Sequence, residues 1–409
     1  VNVSIVTEWF PPEHAPIGHM MKELAEELAS RGHRVTVVTG FPNHPAGVVF
    51  PGYRKRWLQE ETIGRARVLR TWLFTSPSRA ALSRACTFLS FTVTSCWALL
   101  RHARADVIFA VFQPLTLGLT LPVVAKLTGA RLVLNVQDLH PDALVSMGVL
   151  ENRGVIGLLR CVEAYGYRRA DALAVICDGF RDHVVGRGAD PRRVAVIGNW
   201  IDTDLVRPGD RDNEMRAALG ASKDAFLVLY AGTIGHASGA EVVVGAADLL
   251  RADPDVRIAF VGEGPLVPIL ESRAAAAGLD NVVFLPFQPR DRVALVQASC
   301  DVAVVSLRPG QGHLSVPSKI LGYMAAGRPV IASVDIDSES ARLVENAACG
   351  VVVPAGDAEA LARAVRALRD EPDRRRQLGN NGREYVLRHH SKQAVMRHYV
   401  DFLAALAPR

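Results

Sequence analysis

Short apolar, β-branched runs alternate with helix-period stretches along almost the whole of this 409-residue chain, and few folds accept that pattern. In the first half the runs predict strands at 3–7, 34–39, 67–73, 106–112, 131–136, 172–176 and 194–197. In the second half they predict strands at 226–231, 256–261, 282–285, 302–305, 329–333 and 350–353. These runs are continuously apolar, as strands buried on both faces are. Helical patterns lie between them, for example at 20–31, 240–251 and 358–370. Repeated βα units over two stretches of about 200 residues predict an α/β chain with two doubly wound parallel sheets facing across a cleft. The seam falls near the Asn-Trp-Ile-Asp run at 199–202. It gives an N-terminal domain at 1–198, a C-terminal domain at 199–385 and a closing helical stretch at 386–409, for which packing back on the N-terminal domain is one arrangement.

Composition narrows the class. Charged residues make up 22% and hydrophobic residues 49%, the balance of a globular chain and not of a disordered one. None of the six cysteines forms a CxxC pair, and their spacing suits neither a zinc site nor a disulfide framework, so a reducing, cytoplasmic setting is expected. The first residues run straight into a strand, and no signal peptide is expected. The net charge of +5 is unevenly spread. Residues 1–198 carry 23 Lys and Arg against 16 Asp and Glu, and ten of those cations lie between Arg54 and Arg104 against only Glu60 and Glu61. Such a patch suits an anionic lipid surface or a phosphorylated substrate; a solvated Arg-rich face is the plainer alternative. Nucleic acid is not expected, because no zinc-finger, RNA-recognition or helix-turn-helix signature is present.

In open α/β sheets, ligands bind outside the carboxyl ends of the strands. Several turns at those ends are rich in glycine. Gly18 opens the helix after the first strand, where free N–H groups and the helix dipole favour an anion, although a glycine that merely starts a helix fits equally. The G-x-G-x-x-G of a dinucleotide enzyme is missing there. In the second half Gly232 and Gly235 follow one strand, and Gly262 and Glu263 follow the next. Phe287 and Arg308 come after later strands. The sharpest segment is Ser-Val-Pro-Ser-Lys at 315–319, leading into a helix. Ser318 can cap that helix, which leaves Lys319 in its first turn. A cation there opposes the dipole, and a bound diphosphate gives it a reason; a lysine reaching to solvent is the alternative.

With these motifs in view, the chain resembles the retaining GT-B glycosyltransferases of family four over essentially its full length. The resemblance rests on Phe-Pro-Pro at 10–12 with Gly18, Tyr-Ala-Gly-Thr-Ile-Gly at 230–235 and Gly-Glu-Gly-Pro at 262–265. It also rests on Pro-Ser-Lys at 317–319, Tyr-Met-Ala-Ala-Gly-Arg-Pro at 323–329 and Gly-Asn-Trp-Ile-Asp at 198–202. Gln-Asp-Leu-His-Pro-Asp at 137–142, Pro-Ser-Lys at 317–319 and the run at 333–339 look more narrowly like the branch that transfers deoxy-amino sugars in bacterial surface-polysaccharide assembly. The resemblance implies two Rossmann-like domains, the acceptor on the N-terminal one and a nucleoside-diphosphate sugar, UDP-linked by expectation, on the C-terminal one. It implies a hexosyl or N-acetylhexosaminyl transfer to a lipid-linked or other glycan acceptor, and neither cofactor nor catalytic metal.

The family's pattern is not complete here. Its two donor-binding glutamates fall at Leu314 and Gly322, its Arg and Lys after the Tyr-Ala-Gly strand at Thr233 and Ser238, and its His of the N-domain His-Asp pair at Gln137. Lys319 and Arg308 are the replacement cations on offer, Glu339 the replacement ribose carboxylate, and Asp138 and His140 the polar groups beside the sugar. Negative charge grows on the leaving diphosphate as the glycosidic bond breaks, and without a metal it must be met by cations and N–H donors, each worth about 3–4 kcal/mol of barrier. His140 can relay the acceptor proton, or serve as a structural histidine before Pro141. The missing residues keep open a non-catalytic nucleotide-binding partner and a sugar-nucleotide epimerase on the same fold.

One further segment, 85–100, is uncharged and flanked by Arg79, Arg84, Arg101, His102 and Arg104. It is too short to span a bilayer. It suits a helix lying in the interface with Phe88, Phe91 and Trp97 on the apolar side, which places the protein as a peripheral one on the inner face of the membrane; a helix buried on the first sheet is the alternative. The later run 107–125 reads as a strand plus a core helix.

Overall fold

The computed structural model describes residues 1–13, 15–78 and 80–407, so Arg79 of the basic flank lies outside the described residues. The elements run β1 (Asn2–Val6), α1 (Pro16–Ser30), β2 (Arg34–Gly40), β3 (Leu58–Ile63), β4 (Ala66–Thr71) and α2 (Ala81–His102). They continue with β5 (Val107–Val111), α3 (Leu117–Thr128), β6 (Arg131–Val136), α4 (Asp142–Ser146), α5 (Arg153–Arg169), β7 (Ala172–Val175), α6 (Asp178–Gly186) and β8 (Val194–Val196). Next come α7 (Glu214–Ala218), β9 (Phe226–Ala231), α8 (Glu241–Leu249), β10 (Val256–Val261), α9 (Val267–Ala276), β11 (Val282–Leu285), α10 (Val293–Ala298) and β12 (Val302–Ser306). The last are α11 (Lys319–Ala325), β13 (Val330–Val334), α12 (Glu339–Asn346), β14 (Gly350–Pro354), α13 (Ala358–Asp370), α14 (Pro372–His389) and α15 (Lys392–Leu406).

The chain divides into two compact units. One holds residues Val1–Pro141, Leu150–Gly198 and Met396–Arg409, and the other Asp142–Val149 and Asn199–Val395. The first is built on an eight-stranded sheet in the order β3-β4-β2-β1-β5-β6-β7-β8, parallel except for β3. Its break in winding lies between β1 and β5. Tyr399 of α15 belongs to this unit, packing edge-on to Phe109 at 5.8 Å while its hydroxyl accepts from Asn135 Nδ2 at 3.2 Å. Strand β3, Leu-Gln-Glu-Glu-Thr-Ile, lies outside the strands predicted from the sequence. It pairs antiparallel with β4 at the sheet edge, where polar residues are tolerated, and so carries no apolar run.

The helices of this unit bear on the interfacial reading. Along α2, Phe91, Cys96, Ala98 and Leu99 are buried, whereas Leu82, Leu89, Val93 and Leu100 are exposed. Phe91 therefore packs inward and is not an interfacial residue. Helix α3 is only half a core helix, because Leu119, Val123 and Leu127, spaced by four, form an exposed stripe. No helix among the described residues is long and apolar enough to cross a membrane.

The second unit holds a six-stranded parallel sheet in the order β11-β10-β9-β12-β13-β14. Alternate strand residues feed two cores. Leu227, Leu229, Ala303, Val305 and Ala332 face one, and Val228, Tyr230, Val302, Val304 and Ile331 the other. This explains why the strands read as unbroken apolar runs. Beyond the sheet's carboxyl edge the chain stays tightly hydrogen-bonded: Gly232 N donates to Val261 O, and Gly262 N to Leu285 O. Gly262 has φ +153°, and a Cβ there would lie 1.9 Å from Gly232 O; Gly235 has ordinary backbone, and a Cβ there would make only an ordinary contact, 3.8 Å from Thr233 Cγ2. Gly262→Ala should cost about 3 kcal/mol or more of unfolding free energy in urea titration, while Gly235→Ala should change it by no more than about 0.5 kcal/mol.

Candidate active site

The six-stranded sheet winds one way through β9, β10 and β11 and the other through β12, β13 and β14. Its switch point therefore lies at the carboxyl ends of β9 and β12. The two strands pair only at Val228 with Val302 and Leu229 with Ala303, and then part. The buried Tyr323 hydroxyl of α11 fills the gap, accepting from Ala231 N at 2.7 Å and donating to Ala231 O at 3.0 Å. Lys319, one helical turn earlier on the same face, is carried to the same place. Its Nζ sits 3.7 Å from the centroid of the Tyr230 ring, and its Cε lies 3.2 Å from where a Cβ on Gly232 would be. Among the described residues Lys319 has no hydrogen-bonded or ion-paired partner beyond that ring. Burial pushes its ammonium down to about 7 and the Tyr230 phenol up to about 12.

Gly232, Gly262 and Lys319 are thus brought together. The other sequence-predicted donor residues lie on the same edge with different partners. Gly235 precedes a short 3-10 turn, and Glu263 is exposed while its carbonyl accepts from Ile234 N. Phe287 is exposed beyond β11. Ser318 stands at the N-cap of α11 in helical conformation with no side-chain cap bond, so it does not cap as the sequence suggested. Arg308, expected as a free cation, is paired with Glu241 at 2.5 Å, which neutralises it in this structure. Glu339 lies in the first turn of α12, paired with Arg342 at 2.5 Å, while Ser338 caps that helix by accepting from Ala341 N. A side chain at Gly322 would meet the amide end of Gln297, with Nε2 at 2.6 Å, so a glutamate there would require Gln297 to turn aside.

Sequence reasoning passed over Tyr323's role and Asp335. Asp335 accepts from Gly310 N and Gly312 N at 2.9 Å each, pinning the loop that leads to α11. The signal was there in part: an aspartate directly after a buried strand faces this edge.

In the first unit, Gly18 presses helix α1 onto its own chain, since a Cβ would come within 3.0 Å of Trp9 O. The close approach at Gly18 is therefore intramolecular. Asp138 and His140 follow β6. Asp138 keeps an accessible side chain, although the protein around it raises its carboxyl above the usual carboxylate range while His140 acts the other way. The His140 Nδ1 is buried with no partner. Gln137 donates to Asn135 Oδ1 at 2.8 Å.

Two carboxyls unforeseen from the sequence stand at the end of β1, beside the break in winding between β1 and β5. Glu13 is fully buried and accepts from Asn43 N at 2.8 Å, His44 N at 2.9 Å and Phe10 N at 3.2 Å. Glu8 is buried with one oxygen unpartnered, and burial, with repulsion from Glu13, pushes its carboxyl up to about 8. Buried Arg70 clamps the same loops through Glu61, Gly40 O and Pro11 O. Between its ordinary 4.5 and about 8, Glu8 binds more proton folded than unfolded, so stability falls as pH rises through that window. Glu8→Gln should remove this fall. The variant's stability relative to the parent should rise by up to about 1.4 kcal/mol per pH unit, read from urea unfolding at a series of pH values.

Two Rossmann-like units of this kind, with a switch-point site on the second, define the GT-B class of transferases. Residues 17–200 match the family model described as glycosyl transferase 4-like domain, and residues 211–385 match that of glycosyl transferases group 1. The chain is 29% identical over 400 residues to the protein named as a colanic acid biosynthesis glycosyl transferase, WcaI, of Escherichia coli (strain K12), covering 96% of this chain and 97% of the relative. Among solved structures it is similar to sucrose-phosphate synthase from Thermosynechococcus elongatus, with a TM-score of 0.79, 20% identity and coverage of 99% and 98%. It is also similar to Anabaena Alr3699/HepE in complex with UDP-glucose, with a TM-score of 0.73, 16% identity and coverage of 99% of each chain. The chain belongs to the group 1 glycosyltransferases, and it is a glycosyltransferase with the GT-B fold.

Proposed function

We propose that this enzyme transfers a sugar from a UDP-sugar to a lipid-linked or other glycan acceptor in the assembly of a surface polysaccharide, with retention at the anomeric carbon. The observation that carries the reading is Lys319, a partly buried cation without an anionic partner among the described residues, at the switch point of the C-terminal sheet. A diphosphate there supplies the missing charge. As the sugar leaves, negative charge grows on the diphosphate, and Lys319 stabilises it, so the step calls for neither a metal nor another cofactor. Phe287 offers an exposed ring for the base, and Glu339 a carboxylate for ribose once it turns from Arg342. Asp138 and His140 serve the sugar and the acceptor proton on the N-terminal unit.

The uridine base is supported by the UDP-glucose bound to the Anabaena protein, and the polysaccharide setting by the name of the Escherichia coli relative. The run at 333–339 favours a deoxy-amino sugar. A peripheral position on an anionic membrane is supported by the exposed leucines and valine of α2, the exposed stripe on α3 and the basic flanks Arg84, Arg101 and Arg104.

Incubation with UDP-sugars and a membrane extract should release UDP together with a glycosylated product. Lys319→Ala should weaken UDP binding by about tenfold or more while leaving uridine binding nearly unchanged, because a charge-assisted bond of about 1.5–3 kcal/mol is lost only to the phosphates. Equal losses for UDP and uridine would overturn the assignment.

A further inference from the structure

Three cations of the basic stretch 54–104, Arg65, Arg67 and Arg104, meet Arg34 at an unexpected place. A cavity of ≈ 670 Å³ opens at the amino-terminal edge of the eight-stranded sheet, lined by His33, Arg34, Arg65, Arg67, His102 and Arg104 together with neighbouring backbone. Three separate stretches of chain supply these groups: the start of β2, the β3–β4 turn with the start of β4, and the link from the end of α2 to β5. The available acids are already engaged. Glu60 takes Arg67 through two hydrogen bonds at 2.7 and 2.8 Å, Asp106 accepts from Asn2, and Glu26 lies 3.5 Å from Lys22. Arg34, Arg65 and Arg104 are exposed and have no ion-pair partner among the described residues. His33 carries a buried Nδ1 with no partner. One wall continues outward as an aromatic ladder, in which His102 packs on Trp97 at 4.9 Å and Trp97 on the half-exposed Trp57 at 5.6 Å.

Three exposed guanidiniums without ion-pair partners among the described residues line this one cavity, and a guanidinium fork matches phosphate oxygens. We propose that this cavity is a second anion site that takes a phosphomonoester or diphosphate group at the edge of the sheet opposite Glu8 and Asp138. Five residues of strand separate the two edges, about 17 Å. The phosphate is thus remote from the transfer chemistry and serves to hold the protein or its ligand in place. The inference is independent of the transferase reading, since the cavity can bind an anion whether or not Lys319 binds a nucleotide.

The same phosphate chemistry is offered by a lipid headgroup or by a free phosphate compound. The test therefore uses the Lys319→Ala chain, in which the C-terminal site is disabled. Inorganic pyrophosphate is titrated by calorimetry into this parent and into the parent with Arg34→Ala, Arg65→Ala and Arg104→Ala added. The parent should bind, more weakly at higher salt, and the added substitutions should reduce affinity at least tenfold. Arg65→Ser alone, at an exposed turn, should give a smaller loss in the same direction and guards against a folding defect. Flotation with phosphatidylcholine vesicles, with and without phosphatidic acid, whose headgroup is a phosphomonoester, separates the sources. Binding that needs phosphatidic acid, falls with the arginine substitutions and is competed by pyrophosphate assigns the site to a headgroup; pyrophosphate binding with vesicle binding unaltered by the substitutions assigns it to a free phosphate. A parent that does not bind pyrophosphate, or substituted chains that bind it as the parent does, would overturn the proposal.

Discussion

The C-terminal unit depends on how one backbone unit, that of Ala231, is satisfied. Strand β9 leaves β12 after Leu229, and a bare N–H and C=O on that side would cost about 1–3 kcal/mol each if buried unpaired. The hydroxyl of Tyr323 meets both. That single oxygen fixes α11 against the end of β9 and thereby the position of Lys319, four residues earlier. The same opening between strands that makes a ligand crevice is what requires the tyrosine, so the structural and functional demands meet in one helix.

The charge pattern around this point is selective. Arg308 has Glu241, and Glu339 has Arg342, so these candidates are neutralised where they stand. Among the described residues, Lys319 has only the face of Tyr230. An aromatic ring attracts a cation modestly, and burial works against the charge, which is why the ammonium is held near neutrality. A polyanion arriving at the site reverses that balance. Gly232 is part of the arrangement, because any side chain there would crowd the lysine, and Gly262 is needed in turn so that its own segment can pass the Gly232 carbonyl.

Much of the fold was legible because both sheets are covered on two faces. Strands such as β9, β10 and β13 are then apolar but for Arg257 and Ser333, and helices such as α13 carry a clear amphipathic period. The exception, β3, is polar because it forms an exposed edge. At the site, Gly232, Gly262 and Lys319 could be read from glycine turns and from a cation placed against a helix dipole. The engagement of Arg308 and Glu339 could not, since Glu241 lies 67 residues from Arg308 and an i,i+3 pair within a helix gives no sequence signal distinguishable from a solvated charge. The buried carboxyls Glu8 and Glu13 were hidden for a related reason: Glu13 is satisfied by the backbone of residues 43 and 44, a contact that only the fold creates.

The central claim is that the diphosphate of a donor nucleotide binds at Lys319 and charges it. Proton uptake on UDP binding tests this most directly, measured by calorimetry at pH 8 in two buffers of different ionisation enthalpy. With burial lowering the free amine to about 7 and phosphate restoring its charge, roughly half to one proton should be taken up per UDP bound, and the uptake should vanish in Lys319→Ala. Binding of UDP with no proton uptake, or with the same uptake in the variant, would contradict the account.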